Sequence, residues 1–587
     1  MRDRTAAIVL AAGLWAAAAL AGRPVQAAQA AEPPNVPNVY GPGILLAFSG
    51  LDGQTSAAAP FAASTAAGGI VLKFHVPRDP VLTVTLAEGQ VPEWQVVAND
   101  LLLATVAGDA VPLVIALPSS NVLVGRLPRG ARVSLRGGDA GAVLLRNAVG
   151  DRTVFAFAYD PAGAKQAAEA ASTALRVSID TLAEARTDFF ADAPKPPENT
   201  PPARARALAK AFSVLKANVY SPEPPITVRW STPSRWPFPH MQLWDSAFNS
   251  VGLMHLDPKV AKETLEAVYE CQGDDGFIAK RLGPGQTSEI SQPPILGWTA
   301  WQIFTFDRGR DREFLKRSFD AASKHVTWFM KKRRLEGEPP PNRPLEFGTP
   351  LYAWTNAEES GAENSPRFAG GAGFAAIDLS CYLVSECRAL QNMAQRLGYG
   401  ELAKTWGQRG DALAAAAGKH LWNAERGFFF DRKADGEWGE VWSAAGLLPL
   451  WAGIATPDQA ARLRDHVKGP KFRAPAGVTT VARDDPKFKK DMWAGPTWAN
   501  VNYLVVRGLQ RYGFEKEAAD LRAATLDTVA KWYARTGCLY EFYDPDDQAP
   551  PAELARTGAA AGDPRAVIPD YAWTAAVYVD LLLRPKP

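Results

Sequence analysis

Hydrophobic positions along this chain keep one rhythm for its first third and another for the rest. Between about Val39 and Asp160, short β-branched runs (GGIVLKFHV, VLTVTL, EWQVVAN, VPLVIAL, NVLVGRL, ARVSLRG, AVLLRN, TVFAFAY) are broken by Gly, Pro and Asp. Such runs at even spacing predict an antiparallel β-sandwich. The alanine-rich stretch 163–190 predicts a single helix, and APKPPENTPP, residues 193–202, a linker. About a dozen helical patterns follow, near 202–219, 240–256, 258–272, 293–306, 310–334, 374–397, 401–421, 441–453, 456–467, 496–512, 514–535 and 569–584. PPILGWTAWQIFTF and PTWANVNYLVVRGL are apolar nearly all round, whereas RDREFLKRSFDAASKHVTWFMKKRR and FEKEAADLRAATLDTVAKWYART each carry a charged face. A helix apolar on every side must be covered on every side, and a one-sided helix does the covering. Six such inner and outer pairs make an (α/α)6 toroid, and no fixed sequence period supports a solenoid instead.

The predicted fold class is therefore α+β and multidomain. Residues 31–162 form the β-sandwich, 163–202 a helix and Pro-rich linker, and 203–587 the (α/α)6 barrel. A chain of 587 residues is too long for one core. Its start adds a further segment: Arg2 and Arg4 precede an apolar run from Ala6 to Leu20 and small-residue cleavage signals at Val25–Ala27 and Ala28–Ala30. Residues 1–30 thus read as a secretory signal peptide, with an uncleaved anchor as the minor alternative. The mature protein is expected in the periplasm or secreted, with no membrane association after cleavage.

Charge narrows the partners. The 64 Lys plus Arg nearly balance the 62 Asp plus Glu, so no overall basic field points to nucleic acid or an anionic membrane. Four cysteines without a CxxC and six scattered histidines indicate neither a disulfide framework nor a metal site, and no cofactor is expected. Cys381 and Cys387, six apart in a helical pattern, point to different faces and do not suit a local bridge.

Of the 18 tryptophans, all but Trp15 and Trp94 lie at or after position 230. Several sit in loop-like motifs beside carboxylates and amides: Trp236 and Trp244, Trp354, and Trp493 and Trp498. Aromatic faces with polar company suit sugar rings, which offer apolar C–H faces fringed by hydroxyls. Glycoside hydrolysis needs two carboxyl groups, one to protonate the leaving group and one to activate water or attack. Two candidates stand among aromatics on loops. Glu363 follows Trp354 in WTNAEESGAENSPRF, where Asn-Ser-Pro-Arg cannot continue a helix, and Glu541 lies in LYEFYDPDD. Glu358 reads as surface charge, Glu359 as surface charge or a helix end, and Asp544 is the rival to Glu541.

WDSAF (244–248), SQPPILGW (291–298), ESGAENSPRF (359–368), AIDLS (376–380), WAGPTW (493–498) and YEFYDP (540–545), in that order, resemble the glycoside hydrolase family 63 group of (α/α)6 barrels. That group includes glucosidases and mannosylglycerate hydrolases, with trehalases more distant. The resemblance covers residues 203–585. It implies inverting hydrolysis of an α-glycosidic bond in an oligosaccharide or small glycoside, with Glu363 as general acid and Glu541 as general base. It implies further that Asp245 and Gln292 hold sugar hydroxyls, that Trp493 and Trp498 line the pocket, and that Gly361 allows close backbone approach. The sequence departs from the family at two places: Glu363 stands where an Asp is usual, one methylene further out, and Phe542 with PDDQAP replaces the usual pattern after the base. In physical terms Glu363 is expected to be held neutral by desolvation among aromatics, and Glu541 to stay ionised and hydrogen-bonded to water. Residues 484–491, DDPKFKKD, read as a solvated loop over the pocket. Two other classes remain open: a non-catalytic sugar-binding protein on the same fold, and a polysaccharide lyase, for which His240 is the only motif histidine.

Overall fold

The computed structural model describes residues 36–335, 350–433, 435–559 and 567–584. The signal-peptide reading of residues 1–30 lies outside them. Eleven strands come first: β1 Leu45–Ala47, β2 Ala62–Ala66, β3 Ile70–Phe74, β4 Val81–Thr85, β5 Pro92–Val97, β6 Leu101–Val106, β7 Asp109–Ser119, β8 Val122–Arg126, β9 Arg132–Arg136, β10 Ala142–Val149 and β11 Arg152–Tyr159. They form two antiparallel sheets, ordered β1-β2-β3-β4-β9 and β10-β11-β8-β7-β6-β5. The alternation in β3 and β4 turns Ile70, Leu72, Phe74, Leu82 and Val84 inward. Phe74 meets Phe157 of the other sheet at a ring separation of 4.2 Å, so the two sheets share one core. β1, β2 and β6 had no predicted counterpart. LLA is too short to show a period, and AASTA lacks the β-branched bulk that marks a strand; their neighbours in the sheet make them strands.

The helix expected over 163–190 is two: α1 Ala164–Ala174 and α2 Ile179–Asp192. Ser178 breaks it by turning to the extended region and accepting a hydrogen bond from Thr181 N, which starts a new helix there. Twelve further helices follow among the described residues: α3 Pro202–Ala217, α4 Leu243–Leu256, α5 Pro258–Glu270, α6 Leu296–Phe306, α7 Arg312–Lys332, α8 Ile377–Leu397, α9 Gly400–His420, α10 Leu448–Ala452, α11 Pro457–Lys468, α12 Ala499–Arg511, α13 Glu515–Thr536 and α14 Ala572–Leu583. The segment 441–453 is shorter than expected. Pro449 starts a helix rather than continuing one, and left-handed Gly453 ends it.

The helices apolar all round are inside. α4, α6, α8, α10, α12 and α14 touch in that succession, and α14 touches α4. α5 lies on α4, α7 on α6 and α8, α9 on α8, and α13 on α12, each turning a charged face outward. α3 packs on α13 and α14 and is buried along most of its length, with Ser49 and the Asn99–Asp100 turn between β5 and β6 bonding to Lys216 and Ser213 on it. At that junction Lys210 of α3 and Asp570 are both 0% exposed and 2.9 Å apart. The same carboxylate accepts hydrogen bonds from Leu45 N, Asn99 Nδ2 and Leu539 N. All four cysteines are free thiols. Among the described residues no helix is long and apolar enough to cross a membrane, and no His, Cys, Asp and Glu group is arranged to hold a metal ion.

Candidate active site

The motif residues gather because each stands where the chain enters an inner helix. Trp244 and Asp245 open α4, Gln292 precedes α6, Glu363 lies on the loop before α8, Trp493 and Trp498 lead into α12, and Glu541 and Tyr571 lead into α14. Helix N-termini present unpaired N–H groups and a partial positive charge. A cavity of about 480 Å³ opens there, within the range of small-ligand pockets. Glu363, Glu541, Gln292, Gly361, Trp493 and Trp498 all border it.

Asp245 does not stand on the cavity wall. It is fully buried behind it, where Oδ1 accepts a hydrogen bond from Tyr571 Oη at 3.0 Å and Oδ2 has no protein partner. Burial pushes its carboxyl well above the usual range, and the charges of Glu541 and Glu363 push the same way. Gln292 Oε1 accepts from Trp244 N at 3.4 Å while its Nε2 donates to Gln242 Oε1 at 3.2 Å, so its amide is oriented. Trp493 stacks on Trp498 at 3.6 Å with a 9° tilt, and Trp498, fully buried, donates its Nε1–H to Met492 O. Trp498 therefore backs the wall that Trp493 and Trp244 present.

Gly361 permits a close approach, and the group that approaches is Trp244. At φ +73° a Cβ on Gly361 would stand 2.6 Å from the Trp244 ring. Gly361→Ala is expected to move that indole and to raise KM at least about tenfold, measured by steady-state kinetics; an unchanged KM would contradict this packing.

The two carboxylates differ in the opposite sense to the sequence expectation. Glu363 is not desolvated among aromatics: its side chain is 30% exposed, and Oε1 lies 3.4 Å from Lys280 Nζ. Lys280 also reaches Glu358 at 3.6 Å. Glu541 is the buried one, 3% exposed, and its protein partner is a guanidinium: Arg556 Nε and Nη2 donate to its two oxygens at 3.2 and 3.4 Å. Burial raises the Glu541 carboxyl above its ordinary range; Arg556 opposes that, and Glu363 adds a smaller push upward. Its backbone is fixed by Glu541 N donating to Ile568 O at 3.0 Å.

Several sequence candidates prove to be braces. Asp544 pairs with Lys490 at 2.6 Å and accepts from Gln548 N and Ala549 N. Glu359, expected at the surface or a helix end, is fully buried and forms a two-pronged pair with Arg333. Trp354 faces inward, donating to Asp378 at 3.0 Å, and Trp236 borders a different groove. The loop 484–491 is not simply solvated. Asp485 is buried under Trp442 N, and Asp491 accepts from both N and Oγ1 of Thr557. Asn364, next to Glu363, joins the same knot through Thr557 Oγ1 at 2.9 Å and Trp493 N at 2.8 Å.

Lys280, Arg556, Tyr571, Trp573 and Gln242 also border the cavity and were missed. Lys280 is 83 positions from Glu363, and no local pattern marks it. His240 is at the wall too; burial, with Arg281 and Lys280 nearby, lowers its pKa to about 4, so it is a neutral ring at pH 7.

Residues 238–574 match the model of the mannosylglycerate hydrolase MGH1-like glycoside hydrolase domain. A mannosylglycerate hydrolase of Thermus thermophilus is 24% identical over 409 residues, 57% of this chain and 94% of that protein. Mannosylglycerate hydrolase MGH1 of Selaginella moellendorffii is 22% identical over 505 residues, 72% of this chain and 96% of its own. The solved structure of the family 63 mannosylglycerate hydrolase from a second strain of T. thermophilus, in complex with glucose, superposes with a TM-score of 0.51 at 25% identity, covering 64% of this chain and 99% of that one. The matched domain spans more than half of the sequence, and the chain belongs to this family of glycoside hydrolases.

Proposed function

We propose that this O-glycosyl hydrolase is an exported, inverting α-glycosidase acting on a small glycoside whose leaving group carries a carboxylate. Glu363 is the general acid and Glu541 the general base. The observation that carries the proposal is the cavity itself: two carboxylates from loops 178 positions apart (541 − 363) face one tryptophan-walled space beside two cations, Lys280 and Arg556. Lys280 pairs with Glu363 and Glu358 beside the proposed acid, where an acidic aglycone can compete for its ammonium and a neutral one cannot. Names of relatives point the same way, since mannosylglycerate ends in a carboxylate.

Inversion needs a water on the face of the sugar opposite the acid, activated by an ionised base. Glu541, with its backbone pinned and Arg556 keeping charge on it against burial, is suited to that task. Gln292 and Tyr571, the latter oriented from behind by the buried Asp245, are the groups proposed to hold sugar hydroxyls, over the Trp244 and Trp493 faces. Each inner helix touching the next, with α14 meeting α4, supports an (α/α)6 toroid. The division at 31–162, 163–202 and 203–587, and cleavage of a signal peptide over 1–30, belong to the same proposal.

The test is turnover of α-mannosyl and α-glucosyl glycerate against the corresponding α-glycosides of glycerol. Faster release of sugar from the glycerates is expected, and equal or slower release would refute the charged leaving group. The pH profile supplies a second check. Because burial raises Glu541 and Arg556 opposes it, Arg556→Gln lets burial act with less opposition. The base then loses its charge at a higher pH, so the acid limb of kcat/KM is expected to move upward. An unmoved limb would mean Glu541 is not the group that must be ionised.

A further inference from the structure

We infer that Lys280 is a specificity-determining residue that works by exchanging anions: Glu363 holds its ammonium in the free enzyme, and the acidic group of the leaving half of the substrate takes that place. The inference rests on the charged leaving group proposed above.

Lys280 is built in rather than draped over the rim. Its N donates to Ile290 O at 2.7 Å, its O accepts from Leu243 N at 3.2 Å, and its side chain is only 15% exposed. The anions it reaches are Glu363 at 3.4 Å and Glu358 at 3.6 Å. The other groups around it cannot replace them: His240 is neutral, Arg281 is a like charge, and Glu541 is already held by Arg556. A general acid must stand beside the glycosidic oxygen, so an acidic group on the carbon next to that oxygen arrives where Glu363 and Lys280 meet. The substrate anion then competes with Glu363 and Glu358 for one ammonium. An ion pair contains a carboxylate, whereas a general acid needs a proton, so Glu363 must leave Lys280 before it can act.

Each step balances. As the substrate anion takes Lys280, Glu363 takes up a proton from solvent. It passes that proton to the glycosidic oxygen while the bond to the anomeric carbon breaks. Water adds to the opposite face and gives its proton to Glu541, which returns it to solvent. One glycoside and one water yield the free sugar and the hydroxy acid. A substrate without the anion binds but leaves Glu363 in its pair, so selection falls on the chemical step as well as on binding.

The experiment is calorimetric titration of D-glycerate, and of glyceramide as its uncharged counterpart, into wild type, Lys280→Gln, Lys280→Arg and Glu363→Gln. Exchange predicts that Glu363→Gln binds D-glycerate about tenfold more tightly than wild type, because the ammonium then gives up only the more distant and more exposed Glu358. Lys280→Gln is expected to bind it about tenfold more weakly, with Lys280→Arg recovering most of the loss and glyceramide following neither trend. If Glu363→Gln binds D-glycerate no more tightly than wild type while wild type still prefers it to glyceramide, the exchange is wrong and the charged leaving group stands. If wild type binds the two alike, the leaving-group proposal fails and takes this inference with it.

Discussion

Glu541→Gln is expected to lower kcat about a hundred- to ten-thousand-fold with little change in KM. The amide has nearly the shape of the carboxylate but cannot accept a proton from water. It also leaves Arg556 beside a neutral group in a buried place, where the guanidinium had been donating to both oxygens. Glu363→Gln is expected to fall as far on glycosides with poor leaving groups. With an aryl leaving group, which departs without protonation, its loss should be much smaller. That contrast separates acid from base. If both variants lose activity equally on every leaving group, Glu363 is not the proton donor.

The second large effect is on stability. Asp570→Ala is expected to cost about 3–5 kcal/mol, read as a lower urea midpoint at unchanged slope. Asp570 and Lys210 are both fully buried, and the carboxylate also satisfies Leu45 N, Asn99 Nδ2 and Leu539 N. Alanine would strand Lys210 with the Asn99 Oδ1 contact at 3.0 Å and leave two backbone donors unpaired. It would also place an alanine at φ +51°, where Asp is better tolerated. The loss should reach the site, since Asp570 precedes Tyr571 and holds Leu539, two positions before Glu541. A urea midpoint within error of wild type would show that this junction carries little of the stability.

Much of the helical region could be read directly. The apolar-all-round stretches at 296–306 and 499–511 are α6 and α12, and the charged one-sided stretches at 312–332 and 515–536 are α7 and α13. Burial from two sides leaves a mark that one sequence can carry. The same logic missed AASTA, whose strand state comes from its neighbours, and it missed Ser178, whose capping bond outweighs an alanine-rich background. For the site, residues in compact motifs were found together: Glu363, Gly361, Gln292, Trp493 and Glu541 border one cavity. The electrostatic states were not legible, because they depend on partners far along the chain. Glu363 gains Lys280 from 83 positions away, and Glu541 gains Arg556 from 15 positions on, across no recognisable motif. Aromatic neighbours in sequence suggested a dry Glu363; in space they turn elsewhere, as Trp354 does toward Asp378.

The central claim, direct displacement by a water that Glu541 activates while Glu363 protonates the leaving oxygen, is tested most directly by proton NMR of the first sugar released from an α-glycoside by the wild-type protein. The β-anomer appearing first, then equilibrating, is the predicted result. The α-anomer appearing first would mean two displacements through a glycosyl-enzyme intermediate, and would contradict the assignment of Glu541 as a base toward water.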